Sequence, residues 1–314
     1  MSARDKKGVV VVTGVDLAPQ AVEMLRDYEL VFAGTKPTED DLVKLSEQHK
    51  PVGIIVRYGA ITPRIMDANK ALRVISKHGT GIDTIDSRAA QERGIAVKAA
   101  TGANAPAVAE HTWALIFACA KGVVRLDARM RQGHWDKSTH KSLELQGRTL
   151  GLVGLGAIGR RVAATAVSLG MRVIAHDPFA KDAIVGVEVV GLDRIFSESD
   201  VLSLHCPLTP ENKHMVNAQS LAKMKDGAIL VNTARGGLID EKALIDALTS
   251  GKLRSAGLDS FEQEPMAQNH PLQNVSNVIL SPHVGGVSDH AYVAMGTGAA
   301  ANLLAVVETE KNAA

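Results

Sequence analysis

A chain of 314 residues with 46% hydrophobic and 22% charged positions is long enough to bury more core than one domain ordinarily holds, so two domains are expected. Lysine and arginine total 35 against 34 aspartate and glutamate, which leaves no positive excess for a phosphate backbone or an anionic bilayer and argues against nucleic-acid or membrane partners. Two cysteines, Cys119 and Cys206, are too few for a disulfide framework and lack metal-ligand spacing, so no metal is expected and a reducing cytoplasm fits.

The charged opening gives way at residues 9–12 to an apolar run that Thr13, Gly14 and Asp16 break at once, so it reads as a first strand and not as a leader. Short β-branched runs at 52–56, 72–76 and 95–97 alternate with helical stretches such as 38–48 and 86–93. That alternation implies βαβ units and a parallel sheet. The apolar stretch 105–120 carries Glu110 and His111 and falls short of the roughly 18 residues of a spanning helix, so a soluble protein is expected. Residues 105–130 read as helical, and the polar segment 132–147 reads as the crossing between domains. A second alternating series begins at Thr149 and continues through 171–176, 201–205, 228–232, 255–258 and 278–281. The Ala-rich stretch 289–308 reads as one closing helix.

The strand 149–153 runs directly into Gly154-Leu-Gly-Ala-Ile-Gly159 and then into a helix. Gly154 permits the tight turn, Gly156 removes a side chain that would block a pyrophosphate, and Gly159 allows close helix packing. The helix N-terminus offers unpaired N–H groups to the phosphates. Asp177 ends the next strand at about the 20-residue distance expected of a ribose-binding carboxylate, and its charge would repel a 2′-phosphate. The cofactor expected is therefore NAD. A whole domain precedes this fingerprint, so the substrate side comes first in the chain.

Hydride transfer to a ketone needs a proton donor for the forming alkoxide and a cation to hold and polarise the substrate. Arg235, Glu264 and His283 follow three successive strands of the second series, at the strand ends where α/β sheets place ligands. Taken singly, Glu264 reads as a solvated loop carboxylate and Arg235 as a surface cation; as a set they read as a site. His111 and His205 read as packing or hydrogen-bonding residues.

These stretches make the chain resemble the D-isomer-specific 2-hydroxyacid dehydrogenases, within them the phosphoglycerate dehydrogenase and hydroxypyruvate reductase branch. The resemblance rests on Ser76-Lys-His-Gly-Thr-Gly-Ile-Asp83, Ala109-Glu-His-Thr112, Gly133-His-Trp135, the fingerprint, His205-Cys-Pro-Leu-Thr209, Asn232-Thr-Ala-Arg-Gly-Gly237, Glu264-Pro265 and Pro282-His283. It implies an α/β fold of two Rossmann-like domains with parallel sheets. A nucleotide-binding domain at 104–287 would be inserted within a flavodoxin-like substrate domain made of 1–103 and 288–314.

The resemblance also implies that His283 is the acid/base, that Glu264 pairs with it and that Arg235 binds substrate. It would place Thr80, Ala157, Ile158, Cys206, Pro207, Thr233, Ala234, Asp259, Gly285 and Gly286 around the dinucleotide, with Cys206 chemically inert. Backbone N–H groups around His78 and Gly79 would hold a substrate carboxylate. Arg57 and Lys77 stand where phosphoglycerate dehydrogenases carry basic residues for the substrate phosphate, which favours D-3-phosphoglycerate and 3-phosphohydroxypyruvate. Reduction of hydroxypyruvate or glyoxylate is the alternative, and an NAD-sensing corepressor-like binding protein is the alternative of another class. A homodimer formed through the nucleotide domain is the family expectation.

Overall fold

The structure, a computed structural model, describes residues 6–180 and 184–309; the outer ends of the expected substrate domain, 1–5 and 310–314, lie outside the described residues. The chain divides into two compact units. One runs to Asn104 and resumes at Val287, and the other is Ala105–Gly286.

The first unit begins with β1 (Val9–Val12), α1 (Pro19–Met24), β2 (Glu29–Phe32), α2 (Glu39–His49), β3 (Gly53–Val56), α3 (Pro63–Asp67), β4 (Val74–Lys77), α4 (Ser87–Glu92) and β5 (Ala96–Ala99). Its strands pair in parallel in the order β2-β1-β3-β4-β5. The central strands are short β-branched runs, as expected of a sheet covered on both faces. Helix α2 starts where Thr38 and Asp41 form a capping box, and it ends at Lys50 with φ 44°. Strand β2 is absent from the sequence expectation. It lies at the sheet edge with only its two middle residues partly buried, so its hydrophobic signal is short.

The second unit contains α5 (Ala105–Lys121), α6 (Val123–Arg131), β6 (Thr149–Val153), α7 (Ala157–Ser168), β7 (Arg172–His176), β8 (Val187–Val189), α8 (Leu192–Glu198), β9 (Val201–Leu204), α9 (Ala218–Lys223), β10 (Ala228–Asn232), α10 (Glu241–Thr249), β11 (Leu253–Leu258) and β12 (Val278–Leu280). Seven parallel strands lie in the order β12-β11-β10-β9-β6-β7-β8. Strand β8, an edge strand of three residues, was also not expected. Strand addition reverses between β6 and β9, and ligands bind at such a switch point, outside the carboxyl ends of the strands. Leu150, Leu152, Ile174, Leu202, Leu204 and Leu230 fill the two faces of the sheet.

The last helix, α11 (Asp289–Thr309), packs on the first unit's sheet. Ser76 Oγ donates to Ala299 O at 2.9 Å and Asn302 Nδ2 to Ala99 O at 2.9 Å. Leu303 fills the space beside Gly53, where an added Cβ would come within 2.7 Å of it. By length and composition α11 meets the criteria of a membrane span, as does the bent pair α5 and α6 taken together. The Ala299, Ala300, Leu303 and Val307 side chains of α11 are buried in the core of the unit, the pattern of a central helix in a globular domain.

Candidate active site

Strand β6 is buried along its whole length and delivers Gly154 at φ 101°. A Cβ there would lie 2.7 Å from the His205 carbonyl carbon, and a Cβ on Gly159 would lie 2.1 Å from Gly154 O. These two glycines are demanded by the protein's own packing. Gly156 differs, because a Cβ on it would meet nothing within 4 Å. It caps α7 with no side-chain hydrogen bond, so Ala157, Ile158 and Gly159 open the helix behind a bare cradle. That is the arrangement a pyrophosphate requires.

Asp177 lies at the end of β7, with Oδ2 accepting from Leu155 N at 2.7 Å and Oδ1 from Phe179 N at 2.8 Å. The carboxylate is thereby oriented by the fingerprint loop and keeps lone pairs for ribose hydroxyls. These residues fit a dinucleotide. Burial pushes the Cys206 thiol up to about 11, which keeps it protonated at neutral pH. Burial pushes His205 down to about 4, so its ring is neutral, with Nε2 2.9 Å from Ser203 Oγ.

Arg235 follows β10. Asn232, fully buried at the strand end, accepts from Ala234 N at 3.0 Å and donates from Nδ2 to Arg235 O at 2.9 Å, fixing the turn that presents the guanidinium. Thr233 Oγ1 lies 2.9 Å from Thr112 Oγ1. Because Thr112 donates to Val108 O, its partner Thr233 is the donor.

His283 and Glu264 meet as the sequence suggested. His283 Nδ1 is 2.7 Å from Glu264 Oε2, and Glu264 Oε1 accepts from Phe261 N at 3.0 Å. The Glu264 hydrogen bond raises the imidazole above its ordinary value, against burial and the Arg235 charge. Burial works against the Glu264 charge but is outweighed by His283, the Phe261 N–H and the Arg235 charge, so its carboxyl lies below the ordinary range. With Nδ1 bonded to Glu264, Nε2 is the ring nitrogen left for a ligand.

Asp259 is 2% exposed and lies beneath the His283 loop. It accepts from Ser281 Oγ at 2.6 Å, from Val284 N at 2.9 Å and from Gly285 N at 2.7 Å. His111 Nε2 is 2.9 Å from Ser281 Oγ and 3.3 Å from Asp259 Oδ1. This clamp holds His283 at φ 53°, a backbone conformation that costs a non-glycine residue roughly 1–2 kcal/mol. Sequence reasoning singled out Asp259 for the cofactor and His111 for packing or hydrogen bonding, the latter as found here, and gave Asn232 and Ser281 no role. Their polar side chains stand at strand ends or on a buried helix face, a signal too common to be read unaided.

The candidates of the first unit lie at the ends of β3 and β4. Arg57 forms an ion pair with Asp16 and donates to Asp16 O at 2.7 Å. Its guanidinium lies 5.4 Å from the Tyr58 ring and 5.3 Å from the Tyr292 ring. Lys77 Nζ donates to Arg57 O at 3.3 Å. His78 is pushed down to about 4 by burial and by the Arg57 and Lys77 charges, and its buried Nε2 has no protein partner. Gly79 adopts φ 128°, and Thr80 Oγ1 is 3.2 Å from Asn104 Oδ1.

Residues 113–285 match the family model described as D-isomer specific 2-hydroxyacid dehydrogenase, NAD binding domain. The chain belongs to the D-isomer specific 2-hydroxyacid dehydrogenase family. It is an NAD-dependent oxidoreductase acting on the CH–OH group of 2-hydroxyacids. Among curated relatives of this family, hydroxypyruvate reductase of Thermotoga maritima is 42% identical over 280 residues, covering 88% of this chain and 90% of the relative. D-3-phosphoglycerate dehydrogenase of Methanocaldococcus jannaschii is 39% identical over 300 residues, covering 94% of this chain. The chain spans 56% of that relative's length. A Thermus thermophilus protein of known crystal structure superposes with a TM-score of 0.89 at 39% identity, covering 96% of this chain and 97% of that one. The two parallel sheets are therefore those of a 2-hydroxyacid dehydrogenase.

Proposed function

We propose that this dehydrogenase reduces the three-carbon 2-keto acid hydroxypyruvate to D-glycerate, with His283 as acid/base, Glu264 as its partner and Arg235 as the substrate-binding cation. The observation that carries the catalytic assignment is the 2.7 Å contact between His283 Nδ1 and Glu264 Oε2, under the charge of Arg235. Bound NADH supplies the hydride to C2 when the keto acid is reduced. The His283 imidazolium gives its Nε2 proton to the carbonyl oxygen as that oxygen gains charge, and Glu264 stabilises the imidazolium beforehand. Arg235 holds the substrate carboxylate and polarises the ketone. In the oxidative direction neutral His283 takes the hydroxyl proton. Asp177 with the cradle around Gly156 would hold the dinucleotide, and Ala157, Ile158, Cys206, Pro207, Thr233, Ala234, Gly285 and Gly286 would line it.

The tail of the substrate divides two readings. Arg57 already pairs with Asp16, which offsets its charge and favours the neutral hydroxymethyl tail. The proximity of Lys77 to Arg57 favours the second reading, 3-phosphohydroxypyruvate, because two cations would share one phosphate. The names of the curated relatives support both. Comparing kcat/KM for hydroxypyruvate, 3-phosphohydroxypyruvate, glyoxylate and pyruvate with NADH decides between them. Hydroxypyruvate is expected to lead, and Arg57→Ala should cost the phosphorylated substrate more than the plain one. A lead of about tenfold or more for the phosphorylated acid, lost in Arg57→Ala, would replace hydroxypyruvate with the second reading.

The functional unit we propose is a cytoplasmic homodimer formed through the second unit. Val123, Val124 and Met130 of α6 and the neighbouring Trp135 are all more than half exposed, an apolar group suited to a second copy. Light scattering on the purified protein tests it, and a monomer at micromolar concentration would refute it.

A further inference from the structure

Behind the loop that carries Glu264 stands a second set of titratable side chains. Glu262 precedes Glu264 by two residues, and Glu241 is the first residue of α10. The two are joined reciprocally. Glu262 N donates to Glu241 Oε1 at 2.9 Å, and Glu241 N donates to Glu262 Oε1 at 3.4 Å. Each carboxylate also faces an imidazole, with His214 Nε2 2.9 Å from Glu262 Oε1 and His270 Nε2 3.1 Å from Glu241 Oε2.

The imidazoles are themselves held. His270 Nδ1 accepts from Leu272 N at 3.3 Å, which leaves Nε2 as the ring nitrogen on the Glu241 side. His214 is fixed through its backbone: its N donates to Gly237 O at 2.8 Å, and its carbonyl accepts from Asn217 Nδ2 at 2.9 Å, at a φ of 52°. The same loop is pinned on its other side by Gly236, where an added Cβ would lie 1.9 Å from the Phe261 carbonyl carbon. The backbone at 261–262 is thus gripped between the turn that follows Arg235 and the start of α10. Glu264 reaches His283 only if that backbone stays in place, since Phe261 N also holds Glu264 Oε1.

We propose that Glu262 and Glu241 are positioning residues: their reciprocal hydrogen bonds, flanked by His214 and His270, hold the loop that presents Glu264 to His283. The assignment rests on the acid–base reading of His283 and Glu264. Glu262 Oε1 accepts from Glu241 N, an acceptor role that Glu262→Gln preserves and Glu262→Ala abolishes.

The test is the pH profile of hydroxypyruvate reduction, with melting temperature and the KM for NADH measured alongside. Glu262→Ala should lower kcat about tenfold and move the alkaline fall to lower pH, because a displaced Glu264 no longer supports the imidazolium, while KM for NADH stays within about twofold. Glu262→Gln should restore both kcat and the position of the fall. If Glu262→Ala does not fold, Glu241→Ala removes the acceptor of the Glu262 N–H and carries the same expectation. Glu264→Gln serves as the reference. If it moves the fall and Glu262→Ala does not, or if Glu262→Gln behaves like Glu262→Ala, the positioning role is wrong. If Glu264→Gln itself leaves the fall in place, the acid–base reading fails with it.

Discussion

Glu264 touches His283 through one carboxylate oxygen and the Phe261 N–H through the other, so the group that tunes the imidazole is itself held by the main chain. The consequence is a signed pH effect. His283 lies above its ordinary value because Glu264 favours the charged ring, and reduction needs that charged ring. Rate should therefore fall as pH rises through the elevated value. Glu264→Gln should move the fall to lower pH, and His283→Ala should lower kcat by about a hundredfold or more across the range. A profile that does not move in the Gln variant would remove Glu264 from the mechanism.

Cofactor choice is expected to follow Asp177. A carboxylate set against a 2′-phosphate should make NADH about a hundredfold better than NADPH in kcat/KM. Asp177→Asn keeps an acceptor for the Leu155 N–H while removing the charge, so the ratio should narrow by about tenfold. Equal use of both cofactors by the parent enzyme would contradict this account.

The fingerprint glycines should separate into two kinds. Gly159→Ala drives a Cβ into Gly154 O, a backbone atom with no room to give, and should destabilise the protein by roughly 1–3 kcal/mol. Gly156→Ala meets open space, so its melting temperature should stay within about 3 °C of the parent while its NADH affinity falls. Calorimetry and fluorescence titration of the two variants give the comparison, and matching profiles would count against the cradle.

Asp259→Asn tests the clamp beneath His283. One amide group would face a main-chain N–H of Val284 or Gly285, leaving a buried donor unsatisfied at a cost of about 1–3 kcal/mol. A kcat reduced at least about tenfold, with a lowered melting temperature, is expected. Parental kinetics would show that the clamp is dispensable.

What could be read in advance follows from the physics of each element. Strands β1, β3, β6, β9 and β10 are covered on both faces and made mostly of apolar residues, which leave a plain mark in the sequence. Edge strands β2 and β8 leave almost none. The fingerprint was legible because close packing restricts Gly154 and Gly159 to glycine and an approaching pyrophosphate asks the same of Gly156, in a fixed order. The pairing of Arg57 with Asp16, the Asp259 clamp and the contact between Glu241 and Glu262 depend on loops brought together by the sheets, and no local spacing encodes them.

The placement of α11 has a consequence for how the chain comes to be folded during synthesis. Ser76, Gly53 and Ala99 receive their partners from residues 299–303, more than 200 positions later. The second unit is continuous in sequence and closes its own sheet, so it is free to condense as soon as β12 leaves the ribosome. The first unit, though begun earlier, waits with one face of its sheet covered only in part, by α1, until α11 is released. The enzyme's N-terminal third is therefore finished last, and its exposed β3 and β4 are the segments that a chaperone would have to shield in the interval.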